Sequence, residues 1–399
     1  MTSHSGAAPR WPGLAAQLPQ GRIEVRVDHA EIAPEQLFSF ATRNNPKRAF
    51  LFLSHVLGKH LPVTPARMTE VHDRIAAHIP DLPQPVLFAG MAETATCLGQ
   101  GVFESWLRSQ PGAEAIFLHT TRYQVAGGTR VDFEEVHSHA PLQWLYEPDK
   151  GDLRMRFRQA RSLVLIDDEI STGNTFLNLC RALRRHAPHI ARVHLAAITD
   201  FTGAERRDAL HEAFGLPLSS GALLYGKWTY TAHPEVAALD PPPASQALSA
   251  PCIADSGFGR AGRTRALRLA PDMVDSYTRG IAAGQRVLVL GTGEFMHAPY
   301  VFARELQARS GAGVSVQATT RSPILAWGPI RHTMSFADNY GEGIANYLYN
   351  CDPRSYDHIF LCHETGAAGG LHTLADSLGA RLLHFRSETC IEETAVRRS

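Results

Sequence analysis

The run Leu163-Val164-Leu165-Ile166-Asp167-Asp168-Glu169-Ile170-Ser171-Thr172-Gly173-Asn174-Thr175 decides how this chain is read. Four apolar residues lead straight into two adjacent carboxylates, a turn of small and hydroxylated residues follows, and a helix-like segment runs from Phe176 to Arg185. An apolar run of this length reads as a strand buried on both faces, and so as part of a parallel sheet. Such a strand delivers its acids to the carboxyl edge of the sheet, where open α/β folds bind ligands. The turn Ser171, Thr172, Gly173, Asn174, Thr175 opens the next helix, and its backbone N–H groups and hydroxyls form a seat for an anion. Carboxylates repel phosphate but accept hydrogen bonds from sugar hydroxyls. The two parts together suit a ribose carrying a 5′-phosphate. A plain strand–turn–helix with a Ser or Thr cap is the alternative. A Walker A loop is excluded, because no Gly-Lys-Ser/Thr is present.

Outward from this run, strands are predicted at 85–89, 115–119, 162–167 and 193–199, and helices at 68–78, 92–109, 175–185 and 205–214. This alternation is that of a parallel sheet covered by helices. Gly90-Met91-Ala92-Glu93 closes the first of these strands, with the small residues of an anion-binding loop. Glu93 departs from that pattern, and a magnesium ion or a substrate amine is its expected partner. Arg122 follows the next strand, placed to clamp a phosphate bidentately. His137 and His139 lie in a segment of little periodicity, where a metal-binding and a phosphate- or base-facing role both stay open. Lys47, Arg48 and Lys59 surround an apolar run and are candidate contacts for an acceptor base or an anion.

The chain has 399 residues, enough for two or three domains. Lys plus Arg equals Asp plus Glu at 39 each, so no polyanionic partner such as nucleic acid is indicated. Six cysteines are scattered without a C-x-x-C pair, which argues against a disulfide framework or zinc ribbon. No apolar run is long enough to span a membrane and no signal-peptide pattern stands at the start, so the expected location is cytoplasmic.

The division expected is a loose tail over 1–20, a first domain over 21–232, a Pro-rich linker over 233–263 and a second domain over 264–392. The second domain reads as α/β, Rossmann-like or a degenerate copy of the first. Gly90-Met91-Ala92-Glu93, Thr120-Thr121-Arg122 and Leu145-Tyr146 recur as Gly291-Thr292-Gly293-Glu294, Thr319-Thr320-Arg321 and Leu348-Tyr349, at offsets of 199 to 203 residues. On this alignment Asp167-Asp168 corresponds to Cys362-His363, and the sugar-binding acids are lost. Gly291, Gly293, Glu294, His297, Arg321 and His363 are then the candidate site residues of the second domain.

The central run resembles the signature by which type I phosphoribosyltransferases hold phosphoribosyl pyrophosphate (PRPP). Residues Asn45-Pro46-Lys47-Arg48, Leu57-Gly58-Lys59-His60, Gly90 to Ala95, His137-Ser138-His139 and Thr320-Arg321-Ser322-Pro323 extend the resemblance. They match bacterial proteins with an orotate-phosphoribosyltransferase-like domain followed by a domain named TRSP for that last tetrad. The resemblance implies a type I phosphoribosyltransferase-like parallel sheet and transfer of 5-phosphoribosyl from PRPP to a nitrogen base or amine, with release of pyrophosphate. It implies Mg2+ as cofactor, held near Asp167 and Asp168 through PRPP or water, and catalytic roles for Asp167, Asp168, Arg122, His137 and His139. It also implies PRPP contacts at 90–93 and 171–175, a homodimer, and a nucleoside-like product linked to stress and tellurium resistance. A regulator that binds PRPP or a nucleotide without turnover, and a second enzyme in the TRSP domain, are the alternatives.

Overall fold

The computed structural model describes residues 11–43, 48–134, 142–233, 253, 257–366 and 369–396. His137, His139 and Lys47 lie outside the described residues. The first half contains β1 (Leu14–Leu18), β2 (Gly21–Ala30), α1 (Pro34–Leu37), β3 (Phe38–Thr42), β4 (Phe50–Ser54), α2 (Pro65–Ala77), β5 (Val86–Gly90), α3 (Ala95–Ser109) and β6 (Ala115–His119). It continues through β7 (Thr129–Glu134), β8 (Leu142–Glu147), α4 (Gly151–Arg158), β9 (Ser162–Ile170), α5 (Asn174–Arg184), β10 (Arg192–Asp200), α6 (Gly203–Phe214) and β11 (Leu218–Ala232). The second half contains α7 (Pro271–Thr278), β12 (Arg286–Gly291), α8 (His297–Ser310), β13 (Gly313–Ala318), β14 (Thr333–Ala337), β15 (Ala345–Tyr349), β16 (His358–His363), α9 (Gly369–Leu378), β17 (Arg381–Ser387) and β18 (Cys390–Thr394).

Seven strands form the first sheet in the order β1-β2-β11-β10-β9-β5-β6. The five from β11 to β6 run parallel, while β2 and β1 add antiparallel at one edge. From β5 the chain proceeds outward to β6, whereas from β9 it proceeds the other way to β10 and β11. The direction of winding therefore reverses between β5 and β9, which opens a crevice at their carboxyl ends. Val86–Ala89 and Leu163–Ile166 are completely buried, as strands covered on both faces must be. Helix α3 sits unusually close to β5, since a Cβ on Gly99 would come within 2.8 Å of Gly90 Cα.

The second sheet has the order β13-β12-β16-β17-β18, with β12, β13, β16 and β17 parallel. It repeats β6-β5-β9-β10, including a two-stranded hairpin at the same place in the chain: β7–β8 in the first half, β14–β15 in the second. Equivalent bonds recur as well. Thr120 N–H donates to Gly90 O at 2.9 Å and Thr319 N–H to Gly291 O at 3.0 Å. Thr121 bridges Trp144 as Thr320 bridges Tyr347.

Several expectations need correction. Residues 14–18 of the expected tail form β1, because Leu14 and Ala16 alternate inward against the core. Within the expected linker, Arg263 bridges Phe117 and Arg260 is buried, so residues 257–263 are packed structure. Within the segment expected to be irregular, β7 pairs antiparallel with β8, and Val131 and Phe133 face the core while Arg130 and Asp132 are exposed. The match of Asp167-Asp168 to Cys362-His363 is one residue out of step. Gly90 pairs with Ile166, and continuing the register Leu290–Leu361 by one residue pairs Gly291 with Cys362. Asp167 therefore corresponds to His363 and Asp168 to Glu364, and a one-residue slip exchanges the two faces of a strand.

Candidate active site

Asp167 and Asp168 stand half-buried near the end of β9, at the crevice between β5 and β9. Asp168 N–H donates to Asp167 Oδ1 at 2.9 Å, and Thr94 Oγ1 donates to Asp168 Oδ1 at 2.8 Å. The acid pair is thus tied to the loop that follows β5. Gly173 caps α5 with φ +74°, a conformation that suits glycine, and a Cβ there would strike Leu210. Phe176, Leu177, Leu179, Cys180, Ala182 and Leu183 bury the inner face of α5 and fix its direction. Ser171, Thr172, Asn174 and Thr175 remain partly exposed around its first turn. Arg206, from α6, braces this turn by donating to Thr172 O at 2.9 Å and to Asn174 Oδ1 at 2.5 Å. Sequence reasoning missed Arg206 and Thr94. Thr94 lay inside the run Gly90 to Ala95, but nothing in the pattern gave its hydroxyl a part or placed Arg206 against a turn about thirty residues earlier.

The loop after β5 differs from a simple run of outward N–H groups. Met91 N–H is committed to Ile166 O at 2.9 Å and Ala92 N–H to Thr120 Oγ1 at 2.8 Å. Thr120 and Ala92 are further locked by the Gln143 amide, whose Oε1 accepts from Thr120 Oγ1 at 2.8 Å while its Nε2 donates to Ala92 O at 3.1 Å. The Ala92–Glu93 peptide is cis. The N–H groups of Met91 and Ala92 are thus engaged within the protein rather than offered to an anion.

Glu93 itself is not placed to bind magnesium or an amine. Its carboxylate pairs with Lys59 at 2.5 Å and with Arg321 of the second half at 3.8 Å. Burial opposes its charge, but Lys59 and Arg321 outweigh burial and hold the carboxyl down at about 2. Lys59 is 2% exposed and also donates to Gly293 O at 2.8 Å, so it is an internal tie rather than a contact for an acceptor. Arg48 likewise forms a two-pronged pair with Glu169 at 2.8 and 2.9 Å, 4.7 Å above the Phe50 ring. It pins the β3–β4 hairpin over the acid strand, with Phe50 edge-on to Trp228 and Phe52 stacked on Phe201. Arg122 is half-buried, and its backbone N–H donates to Glu294 at 2.7 Å.

The second-domain candidates do not share one cleft. Glu294 accepts from Thr121 Oγ1 at 2.6 Å and pairs with Arg260 at 3.1 Å, and His297 meets Glu104 of α3 at 2.8 Å. These contacts, with Arg321 and the loop of Gly291 and Gly293, face the first half. His363 turns elsewhere: its Nδ1 lies 2.6 Å from Thr365 O and its ring stacks on His384. Arg260 also pairs with Glu364 at 2.8 Å, so the acid standing at the Asp168 position of the second sheet is engaged by an internal cation.

The contact between halves is rich in buried ionisable groups, which gives a pH prediction. Burial holds His60, His72 and His119 near 3 rather than their ordinary 6.5. Burial opposes ionisation of Glu104, but His297 overcomes it and leaves that carboxyl at about 2, beside Glu93 at about 2. The unfolded chain takes up protons at the histidines below about 6.5 and at the carboxyls below about 4.5. The folded chain refuses them down to about 2–3 at these groups. Both effects have one sign, so stability falls as pH drops. The urea midpoint is expected to be nearly level from pH 8 to 7 and to decline steadily below about pH 6.5. A midpoint constant down to pH 4.5 would contradict this.

A family model described as phosphoribosyl transferase matches residues 37–227, and one described as the TRSP domain on its C-terminal side matches residues 257–378. Comparison with curated proteins returns no match. Among solved structures, the chain is similar to adenine phosphoribosyl transferase from Trypanosoma brucei in complex with AMP, pyrophosphate and ribose-5-phosphate. That likeness has 14% identity over 49% of this chain and 81% of the other, with TM-score 0.34. The Giardia lamblia adenine enzyme complexed with 9-deazaadenine gives 17% identity, 47% and 94% coverage and TM-score 0.33. Orotate phosphoribosyltransferase from Mycobacterium tuberculosis gives 14%, 46% and 89%, and 0.26. The two family models follow each other along the chain in the same order as the two sheets. The chain is a member of the phosphoribosyl transferase family that carries a TRSP domain on its C-terminal side, and so a pentosyltransferase by class.

Proposed function

We propose that the first half binds PRPP and transfers its 5-phosphoribosyl group to a nitrogen base or amine, releasing pyrophosphate. The observation that carries this reading is the meeting of three parts at the β5–β9 crevice: the acid pair, the 171–175 turn and the 90–94 loop, joined by Thr94 on Asp168. Asp167 and Asp168 accept the ribose hydroxyls. The 171–175 turn receives the 5′-phosphate, and Glu93 and Thr94 present N–H groups to the diphosphate. The C1′–O bond breaks with its electron pair leaving on pyrophosphate, the new C1′–N bond forms, and the nucleophile gives up its proton. Positive charge grows on the ribose ring during cleavage, and the two carboxylates beneath it favour that charge. Arg122 stands near the same loop and suits the departing diphosphate.

Mg2+ fits this donor set. Among the described residues no group of three or more Asp, Glu, His or Cys forms a cage for a metal. A cation that keeps its waters and binds one or two carboxylates plus substrate phosphates needs no such cage. Asp167 and Asp168 would hold it through the ribose or water, and when bound it neutralises diphosphate charge. The acceptor hood is formed by β3, β4, Phe201 and Trp228. A nucleoside-like product linked to stress and tellurium resistance, in the cytoplasm, is the proposed setting. No helix among the described residues is long and apolar enough to cross a membrane. Helices α2 and α3 already pack on α8, so a homodimer would use another face.

The test is pyrophosphate release from Mg–PRPP with a panel of purines, pyrimidines and simple amines. Release that depends on one acceptor is the expected result. Tight PRPP binding without release under any acceptor would favour the regulator instead.

A further inference from the structure

The two halves hold each other by the same two motifs, exchanged. Glu93, at the end of the first Gly-x-x-Glu loop, is paired by Arg321 of the second Thr-Thr-Arg. Glu294, at the end of the second such loop, accepts from Thr121 and from Arg122 N–H of the first Thr-Thr-Arg. The relation is reciprocal, but its surroundings differ. Glu294 is buried against Arg260 and Thr121, away from the acid pair. Glu93 leads directly into Thr94, whose hydroxyl donates to Asp168 of the acid pair at 2.8 Å.

Arg321 is well built for a fixed position. Its guanidinium pairs with Glu342 as well as Glu93 and lies 5.5 Å above the Tyr123 ring. Tyr123 in turn stacks on Tyr340 of the second half at 3.7 Å. A planar fork shared between two carboxylates and resting on an aromatic face cannot be reproduced by a lysine. Lys59 holds the other Glu93 oxygen and reaches Gly293 O, so two ties from Glu93 end on the second half.

We propose that Arg321, supplied by the TRSP domain, is a positioning residue for the diphosphate of PRPP, acting through Glu93 on the N–H groups of Glu93 and Thr94. This rests on the PRPP reading given above. It assigns the second half a part in the first half's chemistry, although it offers no acid pair of its own.

Calorimetric titration with three ligands, each with Mg2+, separates this role from a purely structural one. PRPP and inorganic pyrophosphate carry the diphosphate, whereas ribose 5-phosphate does not. Arg321→Met is expected to weaken PRPP and pyrophosphate at least tenfold and to leave ribose 5-phosphate within twofold of the unaltered chain. Arg321→Lys keeps the buried charge and guards against misfolding, and a several-fold loss confined to the same two ligands is expected. Unchanged affinity for all three, or equal loss of all three, in the variant that folds overturns the proposal. Failure of the unaltered chain to bind PRPP or ribose 5-phosphate overturns the PRPP reading itself, and this proposal with it.

Discussion

Asp167→Asn combined with Asp168→Asn is expected to weaken Mg–PRPP binding by roughly 10²- to 10⁴-fold. The estimate takes hydrogen bonds to charged groups at about 1.5–3 kcal/mol each, two such bonds lost, and about 1.4 kcal/mol per tenfold in affinity. Asparagine keeps the shape, and its oxygen can still accept from Thr94 and from Asp168 N–H, the two local bonds seen here. Both side chains are half-buried rather than core, so the thermal midpoint should move by less than about 2 °C. Ribose 5-phosphate should be lost along with PRPP, while pyrophosphate binding should survive, the reverse of the pattern expected for Arg321. Calorimetry with the same three ligands reads this directly. A double variant that still binds PRPP like the unaltered chain would remove the sugar-holding role from these acids.

The second large effect concerns stability. Arg260 is 2% exposed and pairs with Glu294 at 3.1 Å and Glu364 at 2.8 Å, with Thr121 Oγ1 at 3.3 Å. Burial works against its charge, but the two carboxylates hold the guanidinium protonated well beyond its ordinary range. Arg260→Met leaves two buried carboxylates without their shared cation. Breaking a buried pair in this way costs about 3–5 kcal/mol. Partial rescue is expected when Glu294→Gln and Glu364→Gln are added, because the stranded charges are then removed. Urea unfolding followed by tryptophan fluorescence measures both. An Arg260→Met chain with an unchanged midpoint would show the triad to be dispensable.

The strand order around β9 and β5 was legible because buried parallel strands announce themselves as apolar runs, and the acids at 167–168 end such a run. The repeat was legible from short motifs, yet its register at β16 was not. His358 to His363 has no unique apolar phase, and only the pairing of β12 with β16 fixes which residue faces the crevice. Charged residues were the least legible. Arg48, Lys59 and Glu93 stood near the right places, but their partners lie up to 234 positions away, as with Lys59 and Gly293. Local spacing carries no information about such long-range pairs. Arg260 sat in what read as a linker, since a Gly-rich composition marks turns without telling whether the intervening side chains are buried.

The clasp of Arg260 on Glu364 bears on stoichiometry. A doubled fold ordinarily brings a doubled capacity, but here the second sheet offers a stoppered socket. Saturation should therefore occur at one sugar phosphate per polypeptide, and the duplicated half is released to drift as a lever on its sibling rather than as a rival for the same metabolite.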